Sequence, residues 1–295
     1  MSARLDVACH LNVLVAGVDA PGFLGALDEL AAIGYTRVVL PPVDPDALDA
    51  VAFGRVFADR GLVPVPIAGQ SPDADVSSPD AGIRALGADA LRRMVRFTAE
   101  IGGDQLNGVP YGLFGRAPHA LERSAVERSA SLVGSVADAA ARDGVRLTFE
   151  VLNRYETAMV NTAAQAIAYH RLAGSPNLFV HLDTFHMAIE EADLAAAVRH
   201  TVPVLGYLEL GQSGRGPLGA GVVDNAEVVR VARAAGYRGP IGVEAFSAGI
   251  LSPVANDVLA IWRSPYTDGV ALARDAFAII REAVGDASAT DPSTT

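Results

Sequence analysis

A single (β/α)8 barrel, an α/β fold with a closed parallel sheet, is what this sequence predicts, on three observations. Ala-rich amphipathic segments end at a Gly and give way to short β-branched or Leu-rich runs, six times over. Eight such runs of strand length occur along the chain, and four of them carry a carboxylate as the last or next-to-last residue. A Gly just past a helix supplies the left-handed residue that releases the last carbonyls, so Gly34, Gly61, Gly103, Gly144, Gly174 and Gly236 mark helix-to-strand junctions. Strands alternating with helices argue for βαβ units, and eight units favour closure over an open doubly wound sheet. The first βα turn also lacks the G-x-G-x-x-G phosphate loop of a dinucleotide fold.

In order, the predicted strands are Val7 to Val15, Arg37 to Leu40, Leu62 to Ile67, Gln105 to Val109, Val145 to Glu150, Leu178 to Asp183, Val204 to Leu210 and Pro240 to Glu244. Among the helices, Leu91, Met94, Val95 and Thr98 recur at i, i+3, i+4 and i+7 as one apolar stripe, with Arg92, Arg93 and Arg96 off it. A helix is expected from about Glu190 to Arg199, stopped at Pro203, and another starts at Asp224 with Glu227 in a capping-box pattern. Residues 1–284 read as one barrel domain. From Gly285 to the end, 285–295, small polar residues predict a disordered tail.

Composition narrows the function. The chain has 295 residues, 51% hydrophobic and 19% charged, with 23 basic against 34 acidic residues and a net charge of −11. That balance offers no basic patch for nucleic acid or an anionic membrane. One cysteine, Cys9, excludes an internal disulfide framework and a Cys-rich zinc site. Apolar runs are broken well short of ~18 residues, so neither a membrane span nor a signal peptide is expected, and the expected location is cytoplasmic.

In such a barrel the active site forms at the C-terminal ends of the strands. Glu150, Asp183, Glu209 and Glu244 end or nearly end the fifth to eighth strands, about one βα unit apart. Four acids around half of one mouth cannot all stay ionised without a positive partner, and a divalent cation is the economical one. Carboxylates with few imidazoles suit Mn²⁺, Mg²⁺ or Co²⁺. His186 follows Asp183 by three residues and is placed to face the same centre, and Arg215 lies in a glycine-flanked loop able to reach an oxygen-rich ligand. Glu156 is favoured over Asn153 and Arg154 for substrate contact. His181 and His10 read more readily as pocket or core histidines than as ligands, and Trp262 as rim packing.

The segments Phe149-Glu-Val-Leu-Asn-Arg-Tyr-Glu156, His181-Leu-Asp-Thr-Phe-His-Met187 and Glu190-Glu191, with Arg215 and Glu244 at matching spacing, resemble the ketose 3-epimerases of the D-tagatose 3-epimerase type, within the xylose-isomerase-like TIM barrels. That resemblance implies one divalent metal, Mn²⁺ first and Mg²⁺ or Co²⁺ otherwise, held by Glu150, Asp183 and Glu244, and Glu209, which stands where the family usually has a metal-binding His, can still ligate a hard cation as the fourth ligand. It implies that Glu150 and Glu244 are also the acid/base pair, with Glu156, His186 and Arg215 on a sugar or polyol substrate. It further implies a homodimer or homotetramer. Two departures stand out: Glu209-Leu-Gly-Gln212 replaces a His-x-Gly-Glu segment, and the second strand ends in Pro41-Pro42 where many relatives carry an acid.

The chemistry these parts permit is proton transfer next to a carbonyl through an enediolate, giving inversion or aldose–ketose isomerisation. Other metal-dependent reactions on the same barrel remain open: a hydroxypyruvate-isomerase-like enzyme, a dehydratase, or a lyase on an oxidised sugar or glycoside. So does a non-catalytic binding protein.

Overall fold

The structure is a computed structural model that describes residues 5–289, with side chains to residue 285. Its parallel strands are β1 (Val7–His10), β2 (Arg37–Val39), β3 (Val63–Val65), β4 (Ile67–Ala68), β5 (Gln105–Gly108), β6 (Arg146–Val151), β7 (Leu178–Asp183), β8 (Leu205–Leu210) and β9 (Ile241–Val243). They form one sheet in the order β3-β2-β1-β9-β8-β7-β6-β5-β4. Its two end strands, β3 and β4, are halves of one stave interrupted at Pro66, so eight staves close a ring. On one side the Val65 carbonyl accepts from Leu40 N at 2.9 Å, and on the other the Pro66 carbonyl accepts from Asn107 N at 3.0 Å. Strand alternation turns Pro64 and Pro66 toward β5, where neither can donate, and the ladder is thinnest there.

Outside the ring stand α1 (Phe23–Ile33), α2 (Ala50–Ala58), α3 (Ala81–Glu100), α4 (Arg123–Ala140), α5 (Ala163–Ala173), α7 (Leu194–Thr201), α8 (Asn225–Ala234) and α10 (Gly269–Ala289). Two short helices, α6 (Thr184–Glu190) and α9 (Pro253–Leu259), are inserted after β7 and β9 at the mouth. Apolar residues such as Leu27, Leu30, Phe57, Leu91 and Phe149 fill the layer between ring and helices. Ala8, Val39, Val65 and Tyr207 form a separate small cluster from β1, β2, β3 and β8. Because side chains alternate along a strand, Thr148 and Glu150 share one face of β6, His181 and Asp183 one face of β7, and Tyr207 and Glu209 one face of β8.

Several expectations shift by a few residues for identifiable reasons. The first strand stops at His10, because the Asn12 amide donates to the carbonyls of Val15 and Ala16 at 3.1 and 2.8 Å and turns the chain. The helix expected from Glu190 to Arg199 is two helices: α6 ends at Glu190, and Asp193 caps α7 by accepting from Ala196 N at 2.9 Å. Gly34, Gly61, Gly144, Gly174 and Gly236 are left-handed as expected, but at the remaining junction Gly102 takes that role. Gly103 is needed for another reason, since a Cβ there would lie 2.6 Å from the Pro64 carbonyl oxygen. Helix α10 continues through Gly285 to Ala289, where a disordered tail was expected; residues 290–295 and 1–4 lie outside the described residues. Among the described residues no helix is long and apolar enough to cross a membrane.

Gly108 ends β5 with φ +109°, and a Cβ there would lie 2.4 Å from the Ala68 carbonyl oxygen, at the closure of the ring. Gly108→Ala is therefore expected to cost about 2–3 kcal/mol in urea unfolding. Gly61→Ala is the control: it has a positive φ with nothing near its Cβ, and should cost only about 1 kcal/mol.

Candidate active site

All seven residues singled out from the sequence meet at the C-terminal mouth. Glu150 comes from β6, Asp183 from the end of β7, Glu209 from β8 and Glu244 from the residue after β9. Asp183, Glu209 and Glu244 are buried, and the Glu150 side chain is 15% exposed. Asp183 divides its carboxylate between two tasks. Its Oδ1 caps α6 by accepting from Phe185 N at 2.8 Å, leaving Oδ2 for the centre. That cap places His186 in the first turn of α6, with Nε2 3.4 Å from Glu150 Oε1 and 3.5 Å from Asp183 Oδ2. The backbone N–H of Asn153 donates to His186 Nδ1 at 3.1 Å, which assigns the ring proton to Nε2, facing both acids. Asn153 also donates its side-chain amide to Glu156 Oε1 at 2.9 Å, tying Glu156 into the same network.

Arg215 enters from the loop after β8. Its Nη1 bonds to Glu244 and lies 3.3 Å from Asp183 Oδ2, while its guanidinium lies over the Phe185 ring, 3.5 Å from the centroid. The residue has φ +54°, a costly conformation for a non-glycine that tertiary contacts must hold. Gln212 anchors that loop: its amide nitrogen donates to the carbonyls of Leu218 and Val223, and its Oε1 accepts from the backbone N–H groups of Ser213 and Val223. Gln212 thus acts on the loop's shape. Gly211 makes room for the start of α6, since a Cβ there would lie 2.9 Å from both Asp183 Oδ1 and Phe185 Cβ. Gly211→Ala is expected to lower kcat/KM on the order of 100-fold while the melting temperature moves little, read by steady-state kinetics beside calorimetry.

Electrostatics separate the acids. Burial alone would raise Glu150, but the charge of His181 and the contacts of His186 and Arg215 outweigh it and hold its carboxyl at about 2. Burial pushes Glu244 well above the usual carboxylate range despite Arg215, and it raises Glu209 against the pull of His181. Burial lowers His10 to about 4. Two titratable groups driven apart in one pocket is the pattern of an acid/base pair.

Ligand atoms of three overlapping sets lie within 4.8 Å of one another: Glu150, Asp183 and His186; Asp183, Glu209 and Glu244; and Glu150, His181 and Glu209. Oxygen-rich and buried, with one arginine against four carboxylates, this donor set fits a hard divalent cation. His181 is the residue the sequence undervalued. It is 2% exposed and stands edge-on to Tyr207, with Nε2 3.1 Å from Glu209 Oε2 yet out of line for a hydrogen bond. Tyr207, two residues before Glu209 and on the same strand face, donates to Glu209 Oε1 at 3.3 Å; that period-two spacing was the available signal. Trp262, expected to pack at the rim, is 76% exposed.

The chain belongs to the xylose isomerase-like TIM-barrel family, whose pattern matches residues 27–282. Within it the chain is an enzyme, an isomerase of the epimerase kind. It is 34% identical to the ketose 3-epimerase of Arthrobacter globiformis, over 94% of this chain and 96% of that protein. It is 37% identical to the L-ribulose 3-epimerase of Mesorhizobium japonicum, over 84% of this chain and 83% of that protein. The crystal structure of D-allulose 3-epimerase from Methylomonas sp. in complex with D-allulose superposes with a TM-score of 0.89 at 34% identity, covering 95% of this chain and 97% of that one.

Proposed function

We propose that this chain is a divalent-metal-dependent ketose 3-epimerase that inverts C3 of a free ketopentose or ketohexose, with Glu150 and Glu244 as its acid/base pair. The observation that carries the reading is the ring of four strand-end carboxylates, with Glu150 and Glu244 on staves separated by two others. Likeness to epimerases over nearly the whole chain supports the choice of reaction.

Glu150, Asp183, Glu209 and Glu244 would hold the cation, Mn²⁺ first and Mg²⁺ or Co²⁺ otherwise. Bound there, it would supply Lewis acidity to a substrate carbonyl and its neighbouring oxygen. Glu150, the more acidic member, is ionised at neutral pH and takes the proton from C3. Glu244, beyond two intervening staves of the ring, delivers a proton to the opposite face, and C3 inverts. In the return direction the two exchange roles. His186 offers its Nε2 proton, and Arg215 its fork of donors, to the oxygens where charge grows; Glu156 accepts from a sugar hydroxyl. The assembly expected is a homodimer or homotetramer, read by light scattering.

The test is incubation of Mn²⁺-loaded protein with ketopentoses and ketohexoses, L-ribulose and D-allulose among them, followed by chromatography. A C3 epimer that forms with metal and fails to form with chelator supports the reading. Metal-loaded protein that leaves every ketose unchanged contradicts it.

A further inference from the structure

We propose that His181 coordinates the divalent cation through Nε2, so that this centre takes an imidazole from the interior of β7 beside its four carboxylates. The inference rests on reading those carboxylates as a metal centre, and it adds a ligand from the position two residues before Asp183.

Three observations lead to it. His181 shares a donor set with Glu150 and Glu209, its Nε2 being 3.1 Å from Glu209 Oε2, and each of those acids also belongs to a set with Asp183. His181 thus lies between Glu150 and Glu209, and each of those acids links it to a set that holds Asp183, two residues on along the same face of β7. His181 is also 2% exposed, and neither ring nitrogen makes a hydrogen bond among the described residues. A buried imidazole kept only for packing ordinarily has a partner for its N–H. Glu209 Oε2 lies 3.1 Å from Nε2 without accepting a hydrogen bond from it, and that acid is His181's neighbour in the ligand set.

The other two histidines of the pocket are excluded by their surroundings. His186 accepts from Asn153 N at Nδ1, so its Nε2 carries a proton and donates to Glu150 and Asp183. His10 belongs to none of the three donor sets; its Nε2 is 3.8 Å from Glu244 Oε1. One imidazole among carboxylates shifts preference from Mg²⁺ toward Mn²⁺ and Co²⁺, because nitrogen is the softer donor.

The test is electron spin-echo envelope modulation on Mn²⁺-loaded protein, with calorimetric Mn²⁺ and Mg²⁺ titrations beside it. The wild-type spectrum should show ¹⁴N coupling from one bound imidazole, and labelling with ¹⁵N-histidine should change it. His181→Gln should lose the coupling and bind Mn²⁺ roughly tenfold or more weakly, with a smaller loss for Mg²⁺. Affinity alone would also fall if His181 merely oriented Glu209, so the nitrogen coupling is the deciding readout. Should His181→Gln fail to fold, persistence of the coupling in both His186→Gln and His10→Gln assigns it to His181. Bound Mn²⁺ with no nitrogen coupling, or a coupling that vanishes in His186→Gln, overturns the His181 assignment and leaves the carboxylate centre standing. No Mn²⁺ binding to wild type overturns both.

Discussion

In Mn²⁺-loaded protein, Glu150→Gln is expected to lower kcat about 1,000-fold while circular dichroism stays unchanged. Gln keeps the shape of the side chain and removes the basic oxygen, and general acid–base catalysis is ordinarily worth 10²- to 10⁴-fold. The side chain is largely buried, and the Tyr111 hydroxyl donates to the Glu150 carbonyl at 2.8 Å, so the backbone that presents it is fixed independently of its charge. His186 Nε2 can still donate to the Gln oxygen, which keeps its position. KM should change far less than kcat, because the lost interaction belongs to the proton transfer. Activity within tenfold of wild type would remove Glu150 from the role of base.

Chelation is expected to have the largest effect on stability. Asp183, Glu209 and Glu244 are at most 8% exposed and share one donor set, so without a cation their mutual repulsion is offset chiefly by Arg215. With Mn²⁺ at a thousandfold over its Kd, the linkage is about 4 kcal/mol, or roughly 8 °C in melting temperature for a chain of this size. The pH dependence of the metal-free protein follows from the two directions of shift. Glu244 and Glu209 are raised on folding, so their contribution is complete below the ordinary carboxylate range and is lost as pH rises through their folded values. Glu150 is lowered, so its contribution is present above that range and is lost as pH falls toward about 2. The metal-free protein should therefore melt progressively lower from pH 5 upward, with the gap to the Mn²⁺ form widening. A gap that is absent or narrows over that range would contradict a cation among these acids.

Much of this site was legible because barrel geometry converts sequence position into spatial position. A residue at the end of a strand faces the mouth, and the four strand-end acids needed no further information to be grouped. Arg215 and His186 were legible from loop composition and from one helical turn of spacing. What the sequence concealed depends on partners far along the chain. His181 looks like any core histidine until its ring nitrogens are found without hydrogen bonds beside Glu150 and Glu209. Gln212 looks like the loss of an acid until its amide is seen to bind both ends of the Arg215 loop. Gly103 was misread for the same reason: its constraint is the Pro64 carbonyl on a neighbouring stave, while the left-handed residue after the helix is Gly102.

The most direct test of C3 chemistry by this acid pair is to follow solvent deuterium into the sugar. Mn²⁺-loaded protein would be incubated in D₂O with the ketose it turns over best, and NMR would locate the label over time. Deuterium at C3 alone, abolished by chelator and by Glu150→Gln, is the predicted result. Deuterium at C1 with an aldose product, or turnover that brings no solvent deuterium to C3, would contradict it.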